Sequence, residues 1–172
     1  MAQKENNIIP MIFDEAFYRK MATQKWRQQD YKKAAEYYEK VLELSPKDFD
    51  IQQHYAQCLV KLNIGKKAER LFYENIVKDF HVAESFYELS QLNIELNEPN
   101  KAFLFGINYV ILSEDKDFRE MLEKTFEVAY TNEQKIELEA QLFSTQLLFQ
   151  FLFSQGRLEE ALSLIHISEP TR

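Results

Sequence analysis

Residues that could carry out catalysis or bind a metal are few in this 172-residue chain. An active site needs a nucleophile beside a base, a metal cluster or a glycine-rich phosphate loop, and none of these occurs at a recognisable spacing. His54 and Cys58 would share one face of a helix, but two ligands without a third make a poor metal site. Cys58 is better interpreted as a small buried apolar residue. We therefore predict a protein that is not an enzyme and that has no metal site and no cofactor.

Composition and charge narrow the class of partner and the compartment. The formal net charge of −7 argues against general binding of nucleic acid, which depends on phosphate neutralisation by Lys and Arg. A single cysteine cannot form an internal disulfide, which favours a reducing cytoplasm. The polar start of the chain lacks the apolar run of a signal peptide. The two most apolar windows, 103–112 and 142–153, are too short to span a bilayer. We expect a cytoplasmic protein that binds neither nucleic acid nor a membrane.

Apolar residues recur at helical spacing along most of the chain. Three glycines and four prolines are too few for the tight turns of an all-β fold, so we predict an all-α fold. Asp14 is an expected N-cap. The first predicted helix runs from Asp14 to Gln28, and the next five run over Tyr31–Leu44, Phe49–Leu62, Lys66–Lys78, Ala83–Leu96 and Asn100–Leu112.

Small residues return at a constant interval. Ala34, Ala68 and Ala102 are separated by steps of 34 residues, and so are Ala22, Ala56 and Ser90. A small side chain at a helix crossing lets two backbones approach closely, so these positions are predicted to be buried where helices cross. Larger apolar residues are predicted to fill the gaps around them, including Leu44 at the end of the second helix and Leu112 at the end of the sixth.

The period and its residues resemble the tetratricopeptide repeat family. The match is best in the first unit, and weaker where Gly65, Phe80 and Gly106 replace residues that the family prefers. The matching positions of the first unit are Tyr18, Ala22, Asp30, Tyr31, Ala34, Tyr38 and Pro46. The resemblance implies an α-solenoid of stacked antiparallel helix hairpins, here in a bacterial protein of that kind.

The domain organisation follows from the point at which the repeat stops. Residues 1–13 are a polar N-terminal tail, 14–112 form three hairpins, and 113–161 hold further irregular helices of the same kind, ending in a truncated one. Thr131 with Gln134 predicts the start of a long helix reaching about Ser154, and Gly156 a left-handed stop. Residues 162–172 resemble the translation of a transposon-end sequencing adapter, so we interpret them as a non-native tail that makes few packed contacts.

The resemblance also implies a binding groove, lined by the first helix of each hairpin. Its charge passes from basic in the first unit, through polar, to acidic in the third. A bound peptide is therefore expected to be acidic toward the first hairpin and basic toward the third, because the opposite orientation would bring like charges together. The candidate groove residues are Arg19, Lys20, Thr23, Trp26, Arg27, Gln53, His54, Gln57, Lys61, Glu84, Tyr87, Glu88, Gln91 and Glu95.

We interpret the chain as a scaffold or adaptor that binds another protein or an extended peptide. Two alternatives remain open, namely a sensor module of a peptide-responsive regulator and a non-catalytic lobe of a longer enzyme. Some relatives bind the carboxylate end of a heat-shock chaperone tail in this groove. Glu84 and Glu88 disfavour that partner, because two carboxylates would repel it.

Overall fold

The computed structural model describes residues 14–129, 145–146, 149–150 and 152–167. The chain forms α1 (Glu15–Arg27), α2 (Tyr31–Leu44), α3 (Phe49–Lys61), α4 (Gly65–Val77), α5 (Val82–Glu95), α6 (Pro99–Ser113), α7 (Lys116–Ala129) and α8 (Leu158–Ile167). Consecutive helices from α1 to α7 pack against one another. The fold is an all-α solenoid of antiparallel helix pairs, as the sequence predicts, and the first six predicted helices begin and end within about two residues of the observed ones.

Aspartates and left-handed residues set the ends of these helices. Asp14 accepts a hydrogen bond from the backbone N–H of Phe17 at 2.8 Å, and Asp48 caps α3 in the same way. A residue with positive φ follows two positions after the last residue of each first helix, at Gln29, Asn63 and Asn97, so the turns also repeat every 34 residues. Equal turns make the three hairpins alike. Gly156 adopts φ of 71°, which confirms the predicted left-handed stop there.

The small residues lie where the period places them. Ala22, Ala34, Ala56, Ala68 and Ser90 are 0% exposed, and Ala102 is 1% exposed. Aromatic and aliphatic residues surround them in one continuous core, with Phe72, Ile76, Phe86, Leu89 and Phe105 among the most deeply buried. Two residues that were predicted to lie in the core are exposed instead. Leu44 is 55% and Leu112 48% exposed, because both lie in the last turn of a second helix, beyond the packed part of the hairpin.

Departures from the family pattern are explained by local packing. A Cβ atom at Gly106 would lie 2.5 Å from Leu122 Cδ2 and 2.8 Å from Ser90 Oγ, so a bulky residue there would displace α7. Phe80 replaces the preferred proline after α4, and its ring stacks on Phe49 with centroids 4.6 Å apart. At both positions the neighbouring side chains lie in close contact.

The end of the chain packs onto the hairpins. Phe149 and Phe153 contact Phe86 with ring centroids 5.9 Å and 6.0 Å apart. Leu162 is 8% exposed, and Leu164 packs against the same core. The expectation of few packed contacts beyond Ala161 is therefore wrong for the start of that segment, because α8 lies against α4.

Several predicted features lie outside the described residues. They are the tail 1–13, the capping box at Thr131, most of the helix predicted to follow it, and 168–172. Within the described part of the chain, no helix is both long enough and apolar enough to cross a membrane.

We expect Ala68→Leu to lower the free energy of unfolding by about 1 to 3 kcal/mol, because the larger side chain would overpack a fully buried position. Urea unfolding of the variant and the wild type measures this. Lys66→Leu, at an exposed position of the same helix, is the matched control and should leave the midpoint nearly unchanged. Equal midpoints for Ala68→Leu and wild type would contradict the packing described above.

Candidate functional site: the first-helix face

The candidate site is the surface shared by α1, α3 and α5, which we call the first-helix face. Its predicted residues on α3 and α5 are joined by a hydrogen bond. Gln57 Nε2 donates to Glu88 Oε1 at 2.9 Å. Glu88 is half-buried, and burial raises the pKa of its carboxyl above the usual range. The negative charge of the nearby Glu95 also raises this pKa, whereas the hydrogen bond from Gln57 and the positive charge of Lys61 lower it. The two hairpins therefore meet at a carboxylate that is held partly away from water.

The predicted residue His54 of α3 packs against Tyr38, a buried residue of α2. The Tyr38 ring stacks on His54 with centroids 5.8 Å apart. His54 remains exposed, and its Nδ1 lies 3.3 Å from Gln57 Oε1. On α1, Thr23 Oγ1 donates to the backbone oxygen of Arg19 at 3.0 Å. His54 and Gln57 thus form a connected pair on α3.

Arg19 is engaged in stacking the first two hairpins. Its guanidinium forms ion pairs with Glu15, at 2.7 Å, and with Asp48, the N-cap of α3. Glu15 also accepts a hydrogen bond from Ser45 Oγ at 2.5 Å. The positive charge of Arg19 is therefore balanced within the protein. The basic end of the face depends instead on the exposed Lys20 and Arg27.

Gln53 does not belong to the surface, which corrects its predicted role as a groove residue. It is 4% exposed. Its Oε1 accepts hydrogen bonds from Asn75 Nδ2 at 2.7 Å and Ser85 Oγ at 3.1 Å, and Gln52 Nε2 donates to Asn75 Oδ1 at 3.0 Å. These four residues connect α3, α4 and α5. A side chain that is buried in this network cannot also reach a ligand on the surface.

The two aromatic residues predicted for the groove have different surroundings. Trp26 is half-buried against Tyr31, with ring centroids 5.2 Å apart, so it closes the edge of the core. Tyr87 is 36% exposed and lies 5.2 Å from the rings of both Tyr109 and Phe118. This aromatic cluster spans α5, α6 and α7. The sequence did not indicate that Tyr109 and Phe118 would pack against Tyr87, because the three residues lie on three different helices.

The remaining predicted residues differ in exposure. Gln91 is half-buried on α5. The exposed charged residues of the face are Lys20, Arg27, Lys61, Glu84 and Glu95. Exposed cations therefore lie on α1 and α3, and exposed carboxylates lie on α5.

The pairing of His54 with Cys58 does not form a metal site. Cys58 is fully buried, and burial raises the pKa of its thiol to about 12, so the thiol stays protonated at neutral pH. Metal ligation requires the thiolate. Among the described residues, no group of three or more His, Cys, Asp or Glu side chains is placed to hold a metal ion.

The described helices and their shared polar face define a helical repeat protein, a class in which each hairpin buries its apolar surface against its neighbours. Residues 25–72 match the family model of the tetratricopeptide repeat, and this stretch belongs to that family. It covers the end of α1, all of α2 and α3, and the first part of α4. No curated protein and no solved structure matches the chain.

We expect Glu88→Gln to raise the free energy of unfolding near pH 7. Because the carboxyl pKa is raised in the folded protein, the stabilisation from Glu88 is present at low pH and is lost as pH rises through the folded-state pKa. A neutral glutamine avoids that loss, so the difference from the wild type should vanish below a pH of about 4. Urea unfolding at several pH values measures it.

The control for this experiment is Glu84→Gln, which changes an exposed carboxylate on the same helix. It should show no comparable change of stability with pH. If Glu88→Gln and Glu84→Gln behave alike across the pH range, burial does not set the behaviour of Glu88.

Proposed function

We propose that this protein is a cytoplasmic interaction scaffold that binds an extended peptide segment of another protein on the first-helix face. The tetratricopeptide repeat is a protein-binding repeat, and the match over residues 25–72 supports a role of this general kind. The proposal assigns no catalysis to the chain. The ligand is held by contacts to exposed side chains of α1, α3 and α5.

The single observation that carries the proposal is the unequal distribution of exposed charge along this face. Lys20 and Arg27 are exposed on α1, whereas Glu84 and Glu95 are exposed on α5. Thr23 on α1 and His54 and Gln57 on α3 offer neutral hydrogen-bonding groups, and Lys61 of α3 is also exposed. Such a face favours one direction of a bound chain, because reversal would place like charges opposite each other.

The chemistry of the ligand follows from this arrangement. Its segment over α1 carries Asp or Glu, and its segment over α5 carries Lys or Arg. Tyr87 offers an apolar contact near the α5 end. Exposed charges are screened over about 8 to 10 Å at physiological salt, so the preference weakens as salt rises.

We expect selection from a random peptide display library on the wild-type protein to enrich peptides with an acidic half and a basic half. The double variant Lys20→Glu and Arg27→Glu should bind the enriched peptides about tenfold more weakly, because it makes the attractive end repulsive. Fluorescence anisotropy measures the dissociation constants. Circular dichroism confirms that the variant keeps its helices.

The matched control is the double variant Lys32→Glu and Lys66→Glu, which makes the same charge change at exposed positions on the second helices α2 and α4. It should bind the peptides as the wild type does. If both double variants lose affinity equally, or if neither does, the first-helix face is not the binding surface.

A further inference from the structure

A second surface lies at the end of the third hairpin, between the turn from α5 to α6 and helix α7. We call it the end depression. Ile94, Pro99 and Met121 contribute its apolar part, and Glu98, Asp117 and Glu120 lie around it. Of these six, Ile94 alone lies on a helix of the first-helix face. The end depression therefore requires a separate explanation.

The connection that leads into α7 is shorter than those that lead into α3 and α5. Four residues separate α2 from α3 and also α4 from α5, but only Glu114 and Asp115 separate α6 from α7. Glu114 adopts φ of 58°, so the chain turns at once. Leu122 of α7 packs over Gly106 of α6.

The corresponding surface of the second hairpin is closed. Gly65 is the first residue of α4, and a Cβ atom at Gly65 would lie 3.2 Å from Cδ1 of Leu92 on α5. Pro99 is the equivalent first residue of α6. It lines the end depression together with Met121 and Lys124 of α7.

Charge around the end depression is unbalanced. Glu98, Asp117 and Glu120 line it together with one cation, Lys124. Lys124 Nζ lies 2.6 Å from Glu120, and Lys101 pairs with Glu98 at 2.7 Å from a largely buried position. The lining therefore carries more negative than positive charge. A cationic ligand would be attracted and an anionic ligand repelled.

Apolar surface continues beside this charge. Leu96, directly after α5, is 57% exposed, and Ile94 and Met121 are half-buried in the lining. An amphipathic segment places its apolar side chains in such a depression and keeps its charged side chains at the rim. Acidic groups around apolar surface select a segment whose charged side chains are basic.

We propose that the end depression binds an amphipathic segment of a partner protein that is rich in Lys and Arg. Apolar side chains of the segment contact Ile94, Pro99 and Met121. Its cations pair with Asp117 and compete with Lys124 and Lys101 for Glu120 and Glu98. This site is independent of the peptide site proposed on the first-helix face, so the protein brings two segments together.

The first test uses the full chain and a fluorescein-labelled helical peptide that has Leu on one face and Lys and Arg on the other. The matched probe has Glu in place of each Lys and Arg. Fluorescence anisotropy should show binding of the basic probe only. Equal binding of the two probes, or no binding of the basic probe, overturns the proposal.

The second test locates the basic probe. Asp117→Lys with Glu120→Lys should weaken its binding at least about tenfold. Glu123→Lys with Glu127→Lys makes the same charge change on the exposed part of α7 outside the end depression, and should have little effect. Equal losses in the two pairs would mean general attraction to the net charge of −7 and would overturn the site.

If the variant with Asp117→Lys and Glu120→Lys does not fold, a third variant still tests the proposal. Lys124→Gln removes the cation of the lining, so the basic probe should bind more tightly; unchanged or weaker binding overturns the proposal. Lys20→Glu with Arg27→Glu should leave binding of this probe unchanged. Failure of the end depression and failure of the first-helix face are therefore measured separately.

Discussion

Close approach of helix backbones at small residues is the constraint on which the rest of this structure depends. Ala22, Ala34, Ala56 and Ala68 are fully buried, and each has only a methyl group to fit between neighbouring helices. Larger rings and aliphatic chains then fill the space on either side, as in other closely packed interiors. Because the spacing of these alanines is constant, successive hairpins stack in the same way and present their first helices on one side.

Polar contacts between hairpins refine this stacking and limit what the surface can bind. Arg19 with Asp48 connects the first two hairpins, and Gln57 with Glu88 connects the second and third. Asn75 joins the buried network around Gln53. Each of these groups is used inside the protein. A ligand on the first-helix face therefore meets mainly the residues that stacking leaves exposed, and the face is less basic at α1 than a count of its charged residues indicates.

The connection between α6 and α7 is shorter than the connections before α3 and α5. There the chain turns through Glu114, and Leu122 takes the space beside Gly106. Beyond the interval 130–144, the described helical residues return to the hairpins, where Phe149 contacts Phe86 and Leu162 joins the core. The chain after α6 thus covers the core in one place and lines the end depression in another.

The sequence by itself determined the features that depend on neighbours in the chain. Helix ends followed from caps such as Asp14, and the repeat followed from the step between Ala34 and Ala68, since periodicity and capping act over a few residues or one hairpin. Only the tertiary structure decided which polar side chains face inward. Gln53 and Gln57 are four residues apart on one helix, yet the first is buried by Asn75 and Ser85 while the second bonds Glu88 at the surface. The same is true of Leu162, whose burial depends on α4. These outcomes rest on contacts between residues far apart in the chain, and the spacing of residues along one helix carries no information about the side chain that will lie opposite.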